Sequence, residues 1–294
     1  MPGHDLRPGL LILGDSYSDS GRGQVLYEQA RTLGISDAEA LTPEALGYWQ
    51  HRWSNGPTAA EILAEHADMQ PINLAVGGAL SGAGNYYTWL DLVRPSGLMA
   101  QVSDYLRGDA EIGPQWGFQD LGQARVHRAF IFISANDFFY RVREQGADPV
   151  TMAAQVTSNV ARSLDLLIEE GFDEVMLVGS LELTWLPAVR DSGMTAAAQH
   201  FQRHVDEGMR TLSRRVGERS GISITFFDTR QAMAEIAGEQ ESLIIGTPCL
   251  NTDQQQQCRS PAQHALWDSY HPEARLHRLL GERMADQARQ RLAW

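Results

Sequence analysis

Short apolar runs and longer amphipathic stretches alternate along this chain. Runs dense in Leu, Ile, Val and Phe occupy residues 9–13, 71–76, 129–134, 174–178 and 222–227. Continuous apolar segments of that length are the mark of strands buried on both faces, as in a parallel sheet. Helical patterns separate them. Residues 57–66 read as a helix with Pro57 at an allowed first-turn position. Residues 149–170 carry Val150, Ala154, Val160, Leu164 and Leu167 near a helical repeat. Residues 195–216 form a long polar amphipathic stretch, and 272–294 close the chain as another. Strands alternating with helices predict a five-stranded parallel sheet covered on both faces, the three-layer α/β/α class. No linker and no internal repeat interrupts the chain, so one domain over residues 1–294 is expected.

In such a sheet the functional loops lie beyond the carboxyl ends of the strands. Ser16, the Gly77 and Gly78 pair, and Asn136 with Asp137 each follow a predicted strand directly, so they are expected on one rim. Residues 82–121, rich in Tyr, Trp and Gly, have weak periodicity and are expected to supply part of a pocket wall.

Ser16 sits in the sequence GDSYSDSG at 14–21, an apolar strand running into a glycine turn. Near the other end, WDSYHP at 267–272 places Asp268 three residues before His271. A serine in a loop or one histidine among nine carries little information alone. Together they are the minimum set for nucleophilic acyl transfer. An Asp so placed can accept from the imidazole Nδ1–H, fix the tautomer and leave Nε2 free to take a serine proton. The developing oxyanion needs donors, each commonly worth about 2.7–4 kcal/mol. NLAVGGA at 73–79 supplies a glycine N–H after a strand, and SAND at 134–137 supplies the Asn136 amide. An Asx turn is the commoner reason for such an Asn. The Gly-x-Ser-x-Gly elbow is absent because position 18 is Ser, and the early serine argues against the α/β-hydrolase fold. The glycines of 77–84 match neither Walker nor dinucleotide spacing.

The blocks at 14–21, 73–79, 134–137 and 268–271 occur in the order of the four blocks of SGNH (GDSL-type) hydrolases, which this chain resembles over residues 10 to about 280. The flanking RWSNGP at 52–57, FISAND at 132–137 and the segment from Cys249 through Cys258 to WDSYHP resemble one branch of that family. It holds thermolabile-haemolysin-type phospholipases, bacterial esterases and choline-ester hydrolases. The resemblance implies a flavodoxin-like fold, no cofactor, and Ser16, Asp268 and His271 as catalytic triad. It implies an oxyanion hole of Ser16 N–H, Gly78 N–H and the Asn136 side chain, with Gly78 chosen over Gly77 by register. Tyr17 stands where the family name has Leu, and Ser134 where the family often has Gly.

Composition narrows the partners. A net charge of −13 with no lysine makes the chain a poor match for nucleic acid or an anionic membrane surface. No run of about 18 apolar residues occurs, so no membrane-crossing helix is expected. No leader pattern opens the sequence, which leaves a cytosolic protein or a mature form. Cys249 and Cys258 allow both a short disulfide-closed loop and two unrelated thiols. The expectation is a disulfide worth roughly 2.5–3 kcal/mol in the chain-entropy model, and with it a periplasmic or secreted protein. No Cys or His pair has metal-ligand spacing, so no metal is expected.

The substrate is expected to be a small-molecule ester or a lipid. Tyr17, Trp89, Trp185, Trp267 and Tyr270 are candidate pocket walls, with core packing as their alternative. Converging on Ser16, they would form a cage for a quaternary ammonium group and favour choline or phosphocholine esters, in line with the branch resembled. No long apolar lid is evident, which favours short acyl chains. Transfer of the acyl group to a sterol, glycerol or sugar hydroxyl would use the same residues.

Overall fold

The computed structural model describes residues 7–108, 126–292 and 294. In chain order the elements are β1 (Gly9–Gly14), α1 (Arg22–Thr32), α2 (Ala59–His66), β2 (Gln70–Asn73), α3 (Thr88–Val93), α4 (Leu98–Arg107), β3 (Arg128–Phe132) and α5 (Ala135–Asp137). Then come α6 (Pro149–Glu169), β4 (Glu174–Val178), α7 (Pro187–Arg190), α8 (Thr195–Ser220), β5 (Ser223–Phe227), α9 (Thr229–Glu239), β6 (Leu250–Asn251), β7 (Gln256–Gln257) and α10 (Ala274–Arg291). The first five strands form one parallel sheet in the order β2-β1-β3-β4-β5. Helices α4, α6 and α8 pack on one another over one face, while α2, α10 and α9 cover the other. This burial on both sides is why every residue of β1 is buried, and why its sequence shows no alternation. One hydrophobic cluster runs from Leu10 to Leu292.

The expected strands and helices are present with shifted ends. β2 stops at Asn73, short of the predicted 71–76, because the Asn73 side chain takes the Ala75 N–H at 3.0 Å and donates to Ser18 O at 2.7 Å. Leu74 and Val76 still donate to Ile12 O and Gly14 O, so the chain keeps its place beside β1. Pro57 precedes its helix, which is capped instead by Thr58 in a reciprocal pair with Glu61. Pro149 does open α6, behind the Asp148 cap. On α6, Val150 and Ala154 are exposed, and Ala153 and Val156 lead into the buried stripe of Val160, Leu164 and Leu167. Helices α1, α3, α4 and α9 were not apparent as periodic patterns. Residues 109–121 of the expected pocket wall lie outside the described residues.

Cys249 and Cys258 are joined by a disulfide that closes the β6–β7 hairpin, as the sequence led us to expect. The hairpin packs with Tyr48 and Trp267 in a small cluster of its own.

α10 lies against α2 at a glycine. A Cβ on Gly281 would sit 2.6 Å from Ile62 Cβ and 2.7 Å from the Ala59 carbonyl. Gly281→Ala should destabilise the fold by about 1–3 kcal/mol through overpacking, read as a lower Tm; an unchanged Tm would contradict this packing.

Candidate active site

β1 ends in a turn in which both Ser18 and Asp19 N–H donate to Asp15 O at 3.0 Å. Gly14 admits the close approach of β3, since a Cβ there would collide with the Phe132 carbonyl. Gln101 clamps the same residue, accepting from Gly14 N at 2.9 Å and donating to Gly14 O at 2.8 Å. The turn lifts Ser16 to the rim of the sheet at 7% exposure.

The His271 ring arrives there from the far end of the chain. His271 Nε2 lies 3.0 Å from Ser16 Oγ, and Nδ1 lies 2.8 Å and 2.9 Å from the two oxygens of Asp268. Asp268 Oδ1 also accepts from the backbone N–H of Tyr270 and His271, each at 2.8 Å. Asp268 Oδ2 accepts from the Tyr48 phenol at 2.6 Å. Burial pushes the Asp268 carboxyl up, but the His271 charge and these donors outweigh it and hold it below its usual range. With Nδ1–H pinned by an ionised carboxylate, Nε2 faces the serine hydroxyl in position to remove its proton.

The RWSNGP segment acts as a clamp on the histidine loop. Ser54 Oγ donates to Pro272 O at 2.8 Å, and Asn55 donates to Glu273 and accepts from Ala274 N. Trp53 places its ring 4.9 Å from that of His271. Sequence reasoning singled out this segment without finding its role, because its partners lie some 218 residues away.

The two glycines after β2 separate by their hydrogen bonds. Gly77 N–H donates to Asp19 Oδ2 at 2.7 Å and is therefore occupied. Gly78 N–H has no acceptor among the described residues, and Gly78 lines the same pocket as Ser16 and Asn136. Gly78 has φ of 81°, and a Cβ there would collide with the Asn85 side chain, so both backbone and space require glycine. Asn136 Nδ2 reaches the Ala79 carbonyl at 3.2 Å. Beneath this loop Asp137 takes the Ser81 N–H at 2.9 Å and hydroxyl at 2.8 Å, and burial pushes its carboxyl up to about 6. Burial likewise pushes Asp15 up to about 7.

A pocket of about 480 Å³ opens over Ser16. Of the five aromatic candidates, Tyr17 and Tyr270 line it. Tyr17 is held by a hydrogen bond to Tyr270 O at 3.2 Å. Trp89, Trp185 and Trp267 do not line it. Trp89 packs with Leu26, Val76 and Leu90 beside α1 and α3. Trp185 leans half-buried on the main core, and Trp267 lies behind Asp268 at 1% exposure. Their apolar area is satisfied by packing away from the rim. Tyr48, Trp53, Tyr86, Tyr87 and Phe139 supply the other ring walls. Phe139, three residues past Asn136, was the one that position in the sequence could have revealed. The Arg143 guanidinium covers the Phe139 and Tyr270 rings at 4.9 and 5.8 Å, and the exposed Asp191 and Asp253 line the same pocket. Among the described residues no group of three His, Cys, Asp or Glu side chains is placed to hold a metal ion, and no helix is long and apolar enough to cross a membrane.

Among solved structures, a carbohydrate esterase family 2 enzyme plus carbohydrate binding domain from Corynascus thermopiles (Myceliophthora fergusii) superposes with a TM-score of 0.54 at 16% identity, covering 100% of this chain and 69% of the other. A carbohydrate acetylesterase from Sinorhizobium meliloti gives 0.50 at 12% identity, covering 97% and 99%. An acetyl xylan esterase from the rumen bacterium Butyrivibrio proteoclasticus gives 0.50 at 14% identity, covering 100% and 66%. At these identities the likeness is one of fold. No protein of curated function gives a significant sequence match. The profile of the GDSL-like lipase/acylhydrolase family, however, matches residues 10–284. The chain, spanned almost end to end by that profile, belongs to the GDSL-like lipase/acylhydrolase family and is a carboxylic ester hydrolase.

Proposed function

We propose that Ser16 is the nucleophile of a two-step ester hydrolysis, with His271 as general base and Asp268 as its orienting carboxylate. The observation that carries this is the continuous series from Ser16 Oγ through His271 to Asp268, with links of 3.0 and 2.8 Å. Ser16 Oγ attacks the acyl carbon as His271 Nε2 takes its proton and returns it to the leaving alcohol. Water then repeats the sequence on the acyl-enzyme. Ser16 N–H, Gly78 N–H and the Asn136 amide receive the oxyanion in both steps. Asp268 stays ionised throughout, in keeping with its depressed carboxyl.

Short acyl esters are the substrates we favour, because the pocket is modest in volume and walled by fixed aromatic rings. Choline-type esters are a second reading, supported by the exposed Asp191 and Asp253, which line the same pocket as Tyr86 and Tyr87. Arg143 already occupies the faces of Phe139 and Tyr270, so only part of the aromatic set is free for a cation. Acyl transfer to an added alcohol would run through the same acyl-enzyme. We further propose that residues 1–294 act as one domain, and that the protein works in the periplasm or outside the cell, where its disulfide persists.

Ser16→Ala should lower kcat by at least ~10⁴-fold with the fold intact, and His271→Ala about as far, since such groups act as a unit. Retained turnover in a pure Ser16→Ala sample would remove the assignment. Initial rates on p-nitrophenyl esters from acetyl to palmitoyl should peak at short chains. Butyrylthiocholine should outpace a neutral thioester of equal acyl length; equal rates would exclude the cationic reading.

A further inference from the structure

The carboxylate behind the histidine has a partner that the proposed mechanism leaves unused. Asp268 is 3% exposed, and its Oδ1 takes three donors from its own loop, the Tyr270 N–H, the His271 N–H and His271 Nδ1. Oδ2 shares Nδ1 at 2.9 Å and has one donor from elsewhere, the Tyr48 phenol, from a residue 220 positions away. This hydrogen bond is the shortest on the carboxylate, and Tyr48 is itself 6% exposed.

Tyr48 is itself held in place. Its ring meets Trp267 edge-on with centroids 6.3 Å apart. Cys249 and Leu250 of the disulfide hairpin complete the cluster. The hairpin also grips the turn just before Tyr48, where Gln257 Nε2 donates to Leu46 O at 3.0 Å and Gly47 adopts φ of 85°. A rigid phenol aimed at one oxygen is therefore built from three separate stretches of chain.

We propose that Tyr48 is a positioning residue for the hydrolysis, holding Asp268 by its Oδ2 and drawing charge off the carboxylate that faces the His271 ring. The inference rests on the reading of Ser16, His271 and Asp268 given above. A donor on Oδ2 lowers the negative charge that faces the imidazolium, so removing it strengthens the attraction between that carboxylate and a protonated ring. The same loss frees the carboxylate to rotate, which misaligns Nε2 in the transition state rather than weakening substrate binding.

Tyr48→Phe keeps the ring against Trp267 and deletes only the donor. We expect kcat to fall roughly 10-fold or more with KM nearly unchanged, and the acid limb of the kcat/KM profile to move up by about 0.5–1 pH unit. A merely structural tyrosine would lower activity without moving that limb. Substitution of 3-fluorotyrosine at position 48, a near-isosteric and stronger donor, should move the limb the opposite way and covers the case in which Tyr48→Phe does not fold. Profiles that superimpose on the wild type for either folded variant would overturn the proposal. Loss of activity in Ser16→Ala alongside such unshifted profiles would sink the Tyr48 role alone, whereas an active Ser16→Ala would sink the mechanism beneath it.

Discussion

A carboxylate taken out of water has to be met by donors, and the rim of this sheet is organised around several that are. Asp15, Asp19, Asp137, Asp206 and Asp268 are all buried at or just beyond the strand ends. Asp19, Asp137, Asp206 and Asp268 each take a donor from a distant stretch of chain, whereas Asp15 takes the Tyr17 N–H of its own turn. Asp19 takes Gly21, Arg22 and Gly77, which ties the serine turn to the glycine loop. Asp137 takes both polar groups of Ser81 and so fixes the far side of that loop. Asp206 receives Ser180 N–H and Arg230 at the end of β4. The loops that carry Ser16 and Gly78 and the short α5 that carries Asn136 are tied together by this set of buried acceptors.

The acceptors differ in how well they are met. Burial leaves Asp15 and Asp137 with raised carboxyls despite their hydrogen bonds, whereas Asp268 is depressed. The contrast comes from the adjacent imidazole and from the phenol of Tyr48, which Asp15 and Asp137 lack as partners. The carboxylate that the proposed mechanism requires to stay ionised is the one of these three whose surroundings favour the charge. Sheet, clamp and hairpin each contribute to that outcome, through Gln101 on Gly14, Asn55 on the histidine loop and Gln257 on the turn before Tyr48.

Much of this was legible in one dimension. The apolar runs of β1, β3, β4 and β5 were visible because a strand buried on both faces must be apolar at every position. Ser16, Asp268 and His271 stood out as candidates because Asp268 and His271 lie three residues apart, a local geometry, and because Ser16 directly follows a strand. Gly78 could be preferred to Gly77 only by register; the hydrogen bond from Gly77 to Asp19 separates them. The aromatic walls were half misread, since Trp267 and Trp53 look alike in the sequence and differ only in which side of the histidine loop they pack.

What the sequence determined alone was the alternation of strand and helix and the order of the sheet-end loops, and it offered a serine, an acid and a histidine as candidates, all through local patterning. The tertiary structure alone decided which glycine is free, which rings face the pocket, and that Tyr48 reaches Asp268. Those depend on contacts between residues 58 to 220 positions apart. No periodicity or local spacing records such a pairing, because it comes into being only when the buried polar groups of a folded chain must find one another.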